Sequence, residues 1–385
     1  MEAYLDYNAT TPVDPQVFEE MRPYLTHEFG NASSFHKKGQ AARHAIEQAR
    51  ERIADTLAVE PGDLIFTSGG TEADNLAIQG VMKYFESQRK HLVISAIEHQ
   101  AVLAPALHFL KRGLKVTVIP VDKQGVVDLN FLEKSVTSDT ALVSVMHVNN
   151  EVGTIQPIKA IAQIAHKKGA LFHTDAVQSL GKITLDIASV DPDMVSCSAH
   201  KIYGPKGAGA LYLKKGVKLK PMIRGGHQEK NIRPGTENVA AIAGFGKAAE
   251  RLGQSPEKEK GRVLLLRNQL YEGLKKNITG MHLNGHETDR IYNTLNVSFE
   301  NLDGEMLLMN LDLKNIYAAT GSACTSGSVE PSHVLSAMGV PEKLARAAVR
   351  FSVGRFTTHE EIDYALSEIA PIIERLRKSS TTHAH

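Results

Sequence analysis

Between about residues 60 and 215, short runs of β-branched and aliphatic residues alternate with segments of helical period, and this alternation constrains the fold more than any other feature. Strands are expected at 64–67, 92–95, 116–119, 141–147, 170–174, 194–198 and 208–213, with helices at 72–86, 100–111 and 158–168 among them. The strand segments are apolar throughout rather than every second residue, so both of their faces are buried. Buried strands joined through helices make an α/β fold with a mostly parallel sheet, here of seven strands, covered on both sides. Ligands of such sheets bind outside the carboxyl ends of the strands. The residues just after each run are therefore where chemistry is to be sought.

At 385 residues the chain exceeds the size at which one core keeps growing, so two domains are expected. The composition shifts at 253–261, which reads Gly-Gln-Ser-Pro-Glu-Lys-Glu-Lys-Gly, as a domain boundary or a surface loop before a long helix would. Beyond it come a helix from about 262, a strand at 294–299, a helix at 304–311, a strand at 349–353 and a helix at 359–377. Thr358 is placed to cap that last helix, and 379–385 read as a loose tail. Without regular alternation, this half reads as a smaller α+β domain.

With 44 basic and 43 acidic side chains the net charge is +1, so no global field draws a polyanion and nucleic acid is not an expected partner. No apolar run is long enough to span a bilayer, and the N-terminus lacks the basic and apolar regions of a signal peptide. No His-x-x-x-His pair with a nearby Glu and no paired cysteines supply a zinc ligand set, so no metal is expected. Two cysteines cannot build a disulfide framework, and a reducing, cytoplasmic setting fits them. Cys197 follows Met194 and Val195 on an apolar strand and belongs in the core. Cys324 lies among Thr320, Gly321, Ser322, Thr325, Ser326, Gly327 and Ser328, a polar setting that suits a nucleophile better than the small buried apolar residue a cysteine often is.

Three strand ends carry polar groups in an order that matters. After the first strand, Thr67-Ser68-Gly69-Gly70-Thr71-Glu72 opens a helix whose unpaired N–H groups suit a phosphate. Taken alone, Thr71 and Asp74 have the spacing of a capping box, and that reading stands slightly ahead. Asp175 comes just past an apolar strand, where an acid needs a cationic or donor partner; a protonated pyridine nitrogen is one, and capping of the next turn is the plain alternative. Lys201 closes Ser196-Cys197-Ser198-Ala199-His200-Lys201, a position where burial lets an amine form a Schiff base. Gly204-Pro205-Lys206-Gly207-Ala208-Gly209 opens no βαβ unit and is read as a turn into the next strand rather than a dinucleotide fingerprint.

Taken in order, Asp6-Tyr7-Asn8-Ala9-Thr10-Thr11-Pro12, Gly30-Asn31-Ala32-Ser33-Ser34-Phe35-His36, Thr67 to Glu72, Glu98-His99, Asn149-Asn150-Glu151, Asp175 to Gln178, Ser198 to Lys201 and Arg233-Pro234-Gly235-Thr236 resemble the cysteine desulfurases. These are fold-type I pyridoxal 5'-phosphate enzymes of the class V aminotransferase group. The resemblance runs from about residue 3 to 375, and Gly321 to Gly327 with Val349-Arg350-Phe351-Ser352 are similar to the branch that supplies sulfur for iron–sulfur clusters. It implies a large cofactor-binding domain over 14–255 and a small domain from 1–13 and 256–385 carrying the Cys324 loop.

The resemblance also implies a role for each matching residue. Lys201 would hold the cofactor covalently and take the Cα proton of the substrate. Gly70, Thr71, Ser198 and His200 would hold the phosphate, joined by Thr236 from the second subunit of a homodimer. Asp175 would face the pyridine nitrogen, and Asn150 and Gln178 the phenolic oxygen. His99 would stack on the ring and move protons, and Arg350, with Asn150, would bind the carboxylate of L-cysteine. Cys324, as thiolate, would take the sulfur as a persulfide, leave alanine, and pass the sulfur to an iron–sulfur scaffold protein or to tRNA thiolation. Gly70 stands where alanine is more usual, Ala32 follows Asn31 where proline is usual, and Pro234 replaces serine; none removes a reacting group.

Overall fold

The structure is a computed structural model that describes residues 1–252, 256–320 and 331–382. Its strands are β1 (Ala3–Tyr4), β2 (Leu64–Thr67), β3 (His91–Ser95), β4 (Lys115–Ile119), β5 (Thr140–Ser144), β6 (Leu171–Asp175), β7 (Met194–Ser198), β8 (Gly209–Leu213), β9 (Met281–Asn284), β10 (Thr294–Phe299), β11 (Ile316–Tyr317) and β12 (Ala348–Ser352). The seven expected strands form one sheet in the order β2-β8-β7-β6-β5-β3-β4. Its pairs are parallel except that β8 runs antiparallel to both β2 and β7. The turn before β8 makes that reversal possible: Gly207 has φ 82°, and a Cβ on Gly204 would stand 2.8 Å from the Ala199 carbonyl oxygen.

Every residue of β2, β3, β5 and β7 is buried, as their unbroken apolar character requires, while the edge strand β4 is largely open. Successive residues of β2 serve opposite faces, since side chains alternate along a strand. Leu64 and Phe66 pack with Ile53, Leu57, Cys197 and Phe245 under helices Lys37–Leu57 and Val239–Leu252. Ile65 packs with Leu76, Ile78, Leu92 and Leu211 beneath helix Gly70–Tyr84. Each such side chain, fully withdrawn from water, stabilises the fold by about 1.5–3 kcal/mol. Cys197 sits in this core. The strand expected at 141–147 stops at Ser144, although extended backbone continues beside β6, with His147 N–H donating to the Asp175 carbonyl at 2.9 Å.

A second apolar cluster gathers Leu266, Leu270, Leu295, Val297, Phe299, Phe351, Ile362 and Ile369 around the antiparallel sheet β12-β10-β9, and Ala3 and Leu5 from the amino end join it. Its final helix starts where Thr358 closes a capping box: Thr358 N–H donates to Glu361 Oε2 at 2.7 Å, and Glu361 N–H donates to Thr358 Oγ1 at 3.2 Å. This helix, His359–Thr382, runs beyond the expected end at 377, so the loose tail expected from 379 is helical as far as 382; residues 383–385 lie outside those described. Among the described residues no helix is long and apolar enough to cross a membrane.

Candidate active site

A cavity of about 630 Å³ opens at the carboxyl ends of the strands. The turn after β2 gives it Gly70 and Thr71, the loop after β3 gives His99, and the loop after β5 gives Asn150. The end of β6 gives Asp175 with Gln178 just beyond, and the end of β7 gives Ser198, His200 and Lys201. Arg350 reaches it from β12, and Asp6 and Asn8 from the amino end.

At the β2 turn, Gly69 has φ 154° and starts the helix without a side-chain cap. The capping box between Thr71 and Asp74 does not form. Glu72 takes the capping part by accepting from Ser68 N–H at 2.7 Å while pairing with Arg233 at 2.9 Å. Asp74 is instead turned inward and buried, because the inner face of this helix lies on the sheet. The first helical turn is thereby left facing the cavity through Gly70 and Thr71, as an anion site requires.

Asp175 is the last residue of β6 rather than a residue beyond it, and its Oδ1 accepts Val177 N–H at 2.8 Å. Burial raises its pKa, while His99 and Lys201 pull it down. Asp74 is pushed well up by burial and by the Asp175 charge, and its Oδ1 has no hydrogen-bond partner. Two like charges this deeply buried do not ionise together. The negative charge belongs on Asp175, which faces the cations, and the proton on Asp74.

Lys201 ends the short helical turn Ala199–Lys201, and its Nζ donates to the carbonyls of Ala9, at 2.8 Å, and Asn8. Burial, with Arg350 adding to it, lowers its pKa to about 8, so a useful share of the amine is neutral near pH 7. Ser198 Oγ is buried without a partner. His200 Nδ1 lies 3.1 Å from Thr10 Oγ1, and burial followed by the Lys201 charge lowers its pKa to about 4, so its ring is neutral. His99 caps helix Gln100–Lys111 by accepting Ala101 N–H on Nδ1 at 3.1 Å, and burial lowers its pKa. Gln178 Nε2 donates to the Asn8 carbonyl at 2.9 Å, and its Oε1 accepts from Lys182 at 3.1 Å. Arg350 is 4% exposed; it donates to the Asn150 carbonyl at 3.0 Å and to Asp6 at 2.7 Å, and its Nε has no partner.

The cavity thus brings together Gly70, Thr71, His99, Asn150, Asp175, Gln178, Ser198, His200, Lys201 and Arg350. Thr236 is exposed and is not among the lining residues. Cys324 lies outside the described residues. The sequence reading gave Asp74 only a capping part and assigned no role to Asp6, Asn8, Glu151 or His333, all of which line the cavity. An isolated Asp or His carries no local signal of a site, and only the packing of distant segments reveals these.

The model of the family Aminotransferase class-V matches residues 3–365. Cysteine desulfurase IscS of Dictyoglomus turgidum is 48% identical over 380 residues, 98% of this chain and 96% of that protein. Cysteine desulfurase IscS of Methanosarcina thermophila is 48% identical over 377 residues, 98% of this chain and 93% of that protein. A solved structure titled NifS-like protein superposes with a TM-score of 0.92 at 40% identity, covering 98% of this chain and all of that one. With relatives this similar over nearly its whole length, the chain belongs to the class-V aminotransferase family and, within it, to the cysteine desulfurases.

Proposed function

We propose that this protein converts L-cysteine to L-alanine, carries the sulfur as a persulfide on Cys324, and supplies it to iron–sulfur cluster assembly and to tRNA thiolation. The observation that carries this reading is the single cavity that sets a lysine, an aspartate and an arginine at the carboxyl ends of strands. Cysteine desulfurases depend on pyridoxal 5'-phosphate. The residues fit that group: Ser198 Oγ is a buried hydroxyl without a partner, Gly70 and Thr71 sit at an open helix start, and Asp175 is a buried acid facing the same space. Lys201 would hold the cofactor's aldehyde carbon, Thr71, Ser198 and His200 its phosphate, Asp175 its ring nitrogen, and Asn150 and Gln178 its phenolic oxygen. Bound there, the cofactor would withdraw electrons from the substrate Cα, loosening first its proton and then the bond to sulfur.

The chain's own groups do the rest. Arg350 receives the substrate carboxylate, with its unpartnered Nε as a donor already in place. Lys201, partly neutral, takes the Cα proton on Nζ. The Cys324 thiolate attacks the substrate sulfur: the S–S bond forms, the Cβ–S bond breaks, and its electron pair stays with Cβ, which takes a proton to become the methyl of alanine. The persulfide then passes its outer sulfur to the thiol of an acceptor protein.

We also propose a homodimer in which Thr236 serves the site of the second copy; its exposure and its place outside its own chain's cavity support this. The division into domains 14–255 and 1–13 with 256–385 is proposed on the separate apolar clusters, since Ala3 and Leu5 pack with the later one. A reducing cytoplasm suits a thiol that must stay free between turnovers. The test is release of alanine and sulfide from L-cysteine with dithiothreitol, for the natural chain and for Cys324→Ala. Turnover by the natural chain, with a variant that keeps its cofactor colour yet releases no sulfide, is the expected result. Equal release by both would replace the persulfide route with a lyase reaction on the same cofactor.

A further inference from the structure

The geometry points to His333, rather than His99, as the base that receives a thiol proton in this cavity, a step that rests on cysteine being the substrate. Both imidazoles line the cavity, and their partners fix the same Nε2–H tautomer while leaving opposite edges of the two rings open. Ala101 N–H donates to His99 Nδ1 at 3.1 Å, and a backbone N–H can only donate. The neutral ring of His99 therefore carries its proton on Nε2, and the edge it leaves open is a donor. His333 is the reverse case. Its Nε2 lies 2.9 Å from the Glu98 carbonyl oxygen, which can only accept, so the proton of the neutral ring is on Nε2. Nδ1 then keeps its lone pair, and among the described residues no hydrogen-bond donor to it is found.

The site therefore holds one imidazole that offers a proton and one that can take one. Ser332 holds the second in place: its hydroxyl donates to buried Glu151 and accepts the N–H groups of Val334 and Leu335. In the step assigned here, the S–H bond of L-cysteine breaks and an N–H bond forms at His333 Nδ1. The product is a thiolate beside an imidazolium, and no electrons change owner. The proton leaves to solvent or returns to the carbon left by sulfur.

The bond to Glu98 makes a clean test possible, because glutamine at 333 can keep a donor on that carbonyl while supplying no basic nitrogen. Alanine release by holoenzyme should fall about a hundredfold at pH 7 in His333→Gln, the ordinary scale of a lost general base. Its rate should climb with pH towards the unperturbed thiol value of about 8.5. Glu151 and His99 are the titrating groups that act on or with His333, and Glu98 adds its carbonyl; all remain in the variant. Visible absorbance of the bound cofactor and its response to S-methyl-L-cysteine, which has no thiol proton, should match the natural chain. Imidazole added to His333→Ala should restore part of the rate.

An unchanged pH profile in His333→Gln overturns the assignment, as does a profile displaced in His99→Gln instead. Loss of S-methyl-L-cysteine binding in His333→Gln would also overturn it, showing a structural role. Failure of the natural chain to release alanine at all would overturn the underlying reaction, a result distinct from these.

Discussion

Arg350 and Asp6, 344 residues apart in the chain, meet in a 2.7 Å ion pair in the wall of the cavity. Arg350 is almost fully buried, and the pair holds its guanidinium while the Asn150 carbonyl takes a second donor. Asp6→Asn keeps an acceptor but removes the charge. Losing one such charge-assisted bond costs about 1.5 kcal/mol, which should appear as a rise of about tenfold in KM for L-cysteine with a smaller change in kcat. Steady-state kinetics check this, and a lower KM would mean that Asp6 competes with the substrate carboxylate.

Lys201 feels the same pair. Arg350 is the largest charge lowering its pKa towards 8, and Asp6 works in the opposite sense. Arg350→Gln removes the cation and frees Asp6, so both changes raise the pKa. Capture of pyridoxal phosphate by the cofactor-free protein needs the neutral amine, and its midpoint should move upward in pH in the variant. A midpoint that stays near 8 would show that burial alone sets the value.

Gly70 has a steric reason to lack a side chain. A Cβ there would stand 2.6 Å from Val177 Cγ2, and the branched side chain of valine has little freedom to turn away. Gly70→Ala should destabilise the protein by about 1–3 kcal/mol in urea unfolding, the range for overpacking. Adding Val177→Ala should recover most of the loss, while independent effects of the two changes would contradict the contact.

Burial makes stability depend on pH in two opposite senses. His147 and His173 have folded pKa values lowered to about 4 and about 3, mainly by burial. Their contribution is present above the unfolded value of about 6.5 and is lost as pH falls through the folded values. Glu98, raised by burial to about 8, behaves the other way: its contribution is full below the unfolded value of about 4.3 and is lost as pH rises through 8. Calorimetry from pH 4 to 9 should show His173→Gln flattening the acid decline and Glu98→Gln flattening the alkaline one. Parallel curves for variants and natural chain would refute both assignments.

What the sequence discloses depends on how local the cause is. The strand at 64–67 and the cap at Thr358 were legible because an apolar run or a three-residue spacing contains the whole signal. The direction of β8 was not, since a strand buried on both faces has the same composition either way. The motif 67–72 named the right turn but suggested the wrong cap, because Asp74 is drawn inward by a helix that lies on the sheet. Lys201 and Asp175 stood out only as an ordered set, each after a strand. Asp6 stood only at the head of a motif with no role of its own, and His333 could not be read at all: their meaning comes from Arg350 and from the Glu98 carbonyl, neither of which is near them in sequence.

The Asp6–Arg350 pair also imposes a timetable on a chain made from its amino end. The seven-stranded sheet is complete once residue 213 has emerged, and its helices once 252 has followed, so domain-wise folding can begin there. Asp6 and Asn8 emerge first, yet Thr294, Arg350 and Ser352, which help to hold them, are made only after the sheet is complete. Until then the amino end can bond only to groups of the sheet domain, Asn8 to Gln178 and Lys201 and Thr11 to His200, while the Asp6 carboxylate still awaits Arg350. A ribosome stalled at residue 300 would therefore display a folded sheet with no carboxylate anchor, and the finished cavity waits for residue 350.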